Sequence, residues 1–160
     1  MKRLLAIDPG LRHLGWALYA DAQLERAGLA CGLVDSRERG PIAWRAVVAD
    51  IPTGLDPSCI VGEFPQVYSV RNTRPDDLLQ LASVLGAVAQ RWTGTPMVTL
   101  LPREWKGQRP KEATTYQANQ TLSVVEAHTL SRELRAVPAT LQHNVLDAVA
   151  LGLVYLQRMR

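Results

Sequence analysis

The sequence predicts an α/β domain built on a mixed sheet with helices on both faces. Three observations lead there. Short apolar runs stand at Leu4 to Ile7, Trp16 to Tyr19 and Leu29 to Val34, the last two separated by polar residues around Asp21 to Arg26. Helical spacing intervenes before a fourth run, Cys59 to Gly62, and strand and helix patterns alternate from there on. Because a helix separates the third run from the fourth, the fourth strand can return beside the first and parallel to it.

The elements follow in order. Arg3 to Asp8 reads as a buried strand stopped by Pro9-Gly10, so Asp8 sits at its C-terminal end. Strands two and three continue as a meander, with the polar stretch Asp21 to Arg26 between them. Pro41 at a first helical position, followed by Trp44, Val47, Val48 and Ile51, gives a short helix that ends before Pro52 and Gly54. The fourth strand ends in a second carboxylate, Glu63, just before Phe64-Pro65. Asp76 and Asp77 suit a helix N-terminus, and Leu78, Leu81, Leu85, Val88 and Trp92 repeat behind them at helical spacing. Met97 to Leu101 is a fifth strand, Pro102 to Glu112 a basic loop interrupted by Gly107 and Pro110, and one helix runs on to about Leu134. A terminal helix with the stripe Leu141, Val145, Ala148, Gly152 and Tyr155 carries His143, Asn144 and Asp147. No repeat or linker divides the chain, so residues 1–160 are expected to form one domain.

Composition narrows the function classes. With 47% hydrophobic and 21% charged residues the chain has the balance of a folded domain rather than a disordered one. The early run Leu4 to Ile7 is broken by Asp8, far short of the roughly 20 residues that span a bilayer, so neither membrane insertion nor secretion is expected. Cys31 and Cys59 lack metal-motif spacing and read as reduced thiols, which suits a cytoplasmic protein. The net charge of +3 is unevenly spread. Residues 64–160 hold 11 basic and 7 acidic side chains against 7 and 8 before them, and two of the three lysines, Lys106 and Lys111, lie close to Arg103 and Arg109. That permits nucleic-acid binding without establishing it.

Adjacent strands lie about 4.8 Å apart, so Asp8 and Glu63 at matching strand ends could share a cation at the edge where open sheets usually bind ligands. Asp8-Pro9-Gly10 is also an ordinary turn sequence. Glu63, placed before an aromatic-proline pair, is a poor turn former. Asp147 lies among Val145, Leu146, Ala148, Val149 and Ala150, where an ionised carboxylate needs a partner or a metal. A buried hydrogen bond from His143, one turn earlier, is the alternative.

These residues bring out a resemblance. Leu5-Ala6-Ile7-Asp8-Pro9-Gly10 with Gly15, Val61-Gly62-Glu63, Gln66-Val67-Tyr68-Ser69-Val70-Arg71-Asn72 and Asp147-Ala148-Val149-Ala150 stand in an order and spacing that resemble the RuvC-type Holliday junction resolvases, the short phage-type versions above all. The resemblance implies an RNase H-like five-stranded mixed sheet ordered 3-2-1-4-5 with strand 2 antiparallel. It also implies a homodimer and magnesium-dependent incision of four-way DNA junctions. It places an aromatic wedge at Tyr68 and phosphate contacts near Lys106 and Lys111. Such enzymes commonly carry two acidic residues three apart on the last helix, where this chain has Asn144 and Asp147, with His143 beside them.

The implied chemistry can be assigned residue by residue. Phosphodiester hydrolysis requires a deprotonated water and a stabilised leaving oxygen, which two cations about 3.5 to 4 Å apart can provide together. Asp8 would bridge two magnesium ions, with manganese a possible substitute, and Glu63 and Asp147 would each complete one. His143 would position or deprotonate the attacking water, and Asn144 would offer an amide oxygen. Arg71, Arg103, Lys106, Arg109 and Lys111 would hold phosphates without reading sequence, and Tyr68 would stack on an unpaired base. For these residues a solvated loop and ordinary core packing are the competing roles. A nuclease-inactive nucleic-acid-binding module and an RNA-processing member of the same superfamily remain the alternative functions.

Overall fold

A computed structural model describes residues 2–32, 35, 40–66, 74–107 and 110–159, with the side chain of Lys111 outside the description. Five strands, β1 Arg3–Asp8, β2 His13–Ala20, β3 Gln23–Cys31, β4 Cys59–Glu63 and β5 Met97–Leu100, form one sheet in the order β3-β2-β1-β4-β5. The first three are antiparallel neighbours, and β4 lies parallel to both β1 and β5. Among the described residues the α-helices are α1 Pro41–Ala49, α2 Pro75–Arg91, α3 Pro102–Trp105, α4 Lys111–Thr121, α5 Val124–Leu134 and α6 Gln142–Tyr155.

Strand alternation divides the core in two. Leu5, Ile7, Leu14, Trp16, Leu18 and Ile60 point to one face and pack against Val47, Val48 and Ile51 from the α1 region and Val84, Leu85 and Val88 of α2. Leu4, Ala6, Ala17, Tyr19, Leu24, Ala27 and Val61 point to the other, under Trp105, Ala118, Leu130 and the apolar residues of α6. The predicted layering and sheet order are therefore what the chain adopts.

Three element boundaries differ from the sequence reading. Strands two and three extend back through the supposed polar separator, because the connection is a two-residue hairpin. Ala20 pairs with Gln23, and Asp21 and Ala22 both take positive φ angles of 47° and 66°. Arg26 and Glu25 then belong to a half-buried strand, and polar residues on its open side masked the pattern. The end assigned to strand three, Leu33 and Val34, lies outside the described residues. The supposed basic loop contains α3 and the start of α4. The supposed long helix to Leu134 is two helices, because Ser123 caps α5 by accepting the N–H of Glu126, whose carboxylate accepts the N–H of Ser123 in return.

Candidate active site

Strand register brings Asp8 and Glu63 together. Leu4 lies opposite Cys59 and Ile7 opposite Gly62, so the next residue of each strand emerges at the same level of the same sheet edge. Alternation sets their direction. Ala6 and Val61 face α6, so Asp8 and Glu63, two residues on, are placed on that side too.

Asp147 reaches the same edge because α6 lies close against β2. Gly15 pairs with Asp8 across the sheet, and a Cβ on Gly15 would stand 1.9 Å from the Asn144 carbonyl oxygen. Only glycine lets the first turn of the helix rest there. At the far end a Cβ on Gly152 would meet the Tyr19 ring at 2.3 Å, and the Tyr19 hydroxyl donates to the Val149 carbonyl at 2.6 Å. Burial pushes the Tyr19 pKa well up, so the phenol remains a donor. Anchored at both ends, the helix holds Asp147 at 6% exposure beside the strand ends.

A cation completes the cluster. Leu100 at the end of β5 lies opposite Glu63, and the chain turns at once into α3, its start fixed by the Leu101 N–H donating to the Glu104 carboxylate at 2.6 Å. This turn brings Trp105 and Lys106 back over the end of β4. The Trp105 indole donates to Glu63 Oε2 at 2.8 Å. The Lys106 Nζ stands 3.0 Å from the same oxygen, 3.7 Å from Asp147 Oδ2 and 4.3 Å from the centroid of the Trp105 ring. Burial alone would lower the Lys106 pKa, but Glu63, Asp147 and, more weakly, Asp8 outweigh it and hold the ammonium above the ordinary lysine value.

Among the described residues no three His, Cys, Asp or Glu side chains are gathered tightly enough to hold a metal ion by themselves. Two of the carboxylates, Glu63 and Asp147, contact the Lys106 ammonium, and Asp8 acts on it by charge. Carboxylate oxygens are hard donors, so in chemical type Asp8, Glu63 and Asp147 fit a hard cation such as magnesium.

The other expected site residues fall in different places. His143 is exposed, so a buried His–Asp pair is not what accommodates Asp147. The Asn144 amide donates to the Leu141 carbonyl at 3.1 Å. Arg103 is exposed on α3, and Lys111 opens α4. Tyr68, Arg71 and Arg109 lie outside the described residues. Lys106, expected at the rim as a phosphate contact, sits within the carboxylate cluster. Trp105 was not anticipated as a site residue. Its only signal was a large aromatic set among charged residues, and which way it faces depends on a four-residue helix.

No protein-family model matches the chain. No curated protein matches it in sequence. Solved structures do match. Thermus thermophilus RuvC in complex with a Holliday junction substrate superposes with a TM-score of 0.63 at 22% identity, over 99% of this chain and 96% of that one. The fowlpox virus Holliday junction resolvase gives 0.59 at 12% identity, over 97% of each chain. The yeast mitochondrial Holliday junction resolvase Ydc2 gives 0.57 at 10% identity, over 98% and 80%. This chain has the fold of the Holliday junction resolvases. At these identities the likeness is one of fold, and this sheet is what brings the ends of β1 and β4 and the start of α6 to one edge.

Proposed function

We propose that this protein is a structure-selective DNA endonuclease that resolves four-way junctions by magnesium-dependent phosphodiester hydrolysis, acting as a homodimer. The observation that supports this reading is that Asp8, Glu63 and Asp147 come from β1, β4 and α6 to the C-terminal edge of the sheet, where Glu63 and Asp147 both contact Lys106. The junction-bound RuvC among the structures of the same fold supports the choice of substrate.

Each residue then has a task. Asp8, Glu63 and Asp147 would hold magnesium, for which manganese could substitute, and the metal would supply Lewis-acid activation of water and charge neutralisation at the phosphate. Lys106 adds a fixed positive charge beside the reacting phosphate. His143, exposed one turn before Asp147, takes the proton of the attacking water, and Asn144 lends its amide to the same end of α6. Arg103, Lys111, Arg71 and Arg109 hold flanking phosphates, and Tyr68 stacks on a base where strands exchange. Symmetric incision needs two sites, and Leu79 of α2, 65% exposed, is an apolar side chain that a second copy could cover.

One observation favours a second reading. The Lys106 ammonium already sits among the carboxylates, and Asn144 replaces an acid, as in a module that binds junctions without cutting them. A single assay separates the two: purified protein on a four-way junction, matched duplex and RNA–DNA hybrid, with and without magnesium. Paired nicks in the junction that vanish in EDTA support the nuclease. Tight junction binding with no incision at any magnesium or manganese concentration selects the binding module.

A further inference from the structure

We propose that Trp105 is a positioning residue for Glu63, orienting its carboxylate toward the metal and holding Lys106 in place on its ring. The inference rests on the metal-site reading above and extends it to a residue that never touches the ion.

The geometry separates the two oxygens of Glu63. The Trp105 indole N–H at 2.8 Å and the Lys106 ammonium at 3.0 Å both engage Oε2. Oε1 is then the oxygen left to face a cation or a water. A carboxylate at the end of a strand can otherwise rotate about its last bond, and ordering it costs conformational entropy when a ligand binds. The indole removes that freedom beforehand. It is a suitable anchor because it only donates, cannot compete for a metal, and is itself locked at 2% exposure.

The ring has a second role. Lys106 Nζ lies 4.3 Å from its centroid, in cation–π range, so the ammonium is held from one side by the ring and from the other by Glu63 and Asp147. One side chain therefore sets both the acceptor direction of Glu63 and the location of the resident positive charge. α3 can place it there because its N-terminus is fixed by the Leu101–Glu104 hydrogen bond, immediately after β5 pairs with β4.

The test uses Trp105→Phe, which keeps a ring face and removes the N–H, with manganese as the probe. Calorimetry of the whole protein without DNA is expected to show manganese binding about 10-fold weaker in the variant, within the roughly 10- to 100-fold usual when the partner orienting a metal ligand is removed. The magnesium concentration for half-maximal junction incision should rise by a similar factor, with the rate at saturating magnesium changed far less and junction affinity in EDTA unchanged. Unaltered manganese affinity and an unaltered magnesium requirement in a folded Trp105→Phe protein would overturn the proposal while leaving the nuclease reading intact. If the wild type never cuts but the variant still binds manganese about 10-fold more weakly, the positioning role stands and the nuclease reading falls. Should the variant not fold, the wild type still decides. Of the indole N–H resonances of Trp16, Trp44, Trp92 and Trp105, one should shift on magnesium titration, and the same one on Glu63→Gln. No shift in any of them refutes the role.

Discussion

Two carboxylate–cation clusters in this molecule have opposite designs. At the opposite end of the sheet, Glu126 is 1% exposed and its two oxygens accept the N–H groups of Leu24 at 2.8 Å and Ser123 at 2.9 Å and a two-pronged contact from Arg158 at 2.6 and 2.8 Å. Arg158 also donates to the carbonyls of Ala22 and Thr121. One negative charge meets one positive charge, and both are saturated. At the candidate active-site edge, Glu63 and Asp147 contact one ammonium that is partly open to solvent, with Asp8 acting on it by charge. A balanced, closed pair ties the β2–β3 turn, α4, α5 and the C-terminal tail together. The cluster at the candidate site is instead partly open to solvent and draws its acids from three separate elements, so a further group can reach it.

The largest expected effect breaks the open cluster. Asp8→Asn, Glu63→Gln and Asp147→Asn should each lower single-turnover junction incision by about 10² to 10⁴ or more, measured with excess magnesium. A variant cutting at the wild-type rate would remove that carboxylate from the site. His143→Ala should cost about 10² to 10⁴ in the same assay without loss of junction binding, the range for a general base. Incision within a few-fold of wild type from pH 6 to 9 would leave His143 a surface residue.

Breaking the closed cluster should do the reverse, costing stability and sparing catalysis. Glu126→Gln strands Arg158 among carbonyls and should lower the unfolding free energy by about 3 kcal/mol in urea titration, with incision per folded molecule unchanged. The same pair predicts an acid limit. Burial alone would raise the Glu126 carboxyl, but Arg158 and the Leu24 and Ser123 N–H groups outweigh it and bring its pKa down to about 2. An unfolded glutamate titrates near about 4.3. Its contribution is therefore fully present above that pH and is lost as pH falls toward 2. Urea midpoints that fall over this window in the wild type, and less steeply in Glu126→Gln, would show it.

The smallest effect concerns long-range charge. Replacing Lys106 and Lys111 together with Ala should reduce the slope of log K for junction binding against log salt by about two if both reach phosphates. A reduction of about one would assign the phosphate contact to Lys111 and leave Lys106 to the carboxylates.

Much of this was legible in the linear chain. Buried parallel strands appear as unbroken apolar runs, so Asp8 and Glu63 stood out as charges where such runs stop, and Asp147 as an acid inside an apolar helix. The helix between the third and fourth strands then implied their adjacency. Signals for the α4–α5 break and the β2–β3 turn were present but local and weak. Ser123 three residues before Glu126 marks a helix start, while Asp21-Ala22 is a turn that its residue types barely announce. The partners that complete both clusters were not legible at all. Glu126 and Arg158 lie 32 residues apart and Trp105 lies 42 residues from Glu63. Periodicity tells which residues leave water, because it reflects one element's own geometry. Which donor meets which acceptor depends on how separate elements are stacked: the docking of α6 across Gly15 and the turn from β5 into α3 decide it at the candidate site, and the packing of α5 and the C-terminal tail on the β2–β3 hairpin decides it for Glu126 and Arg158.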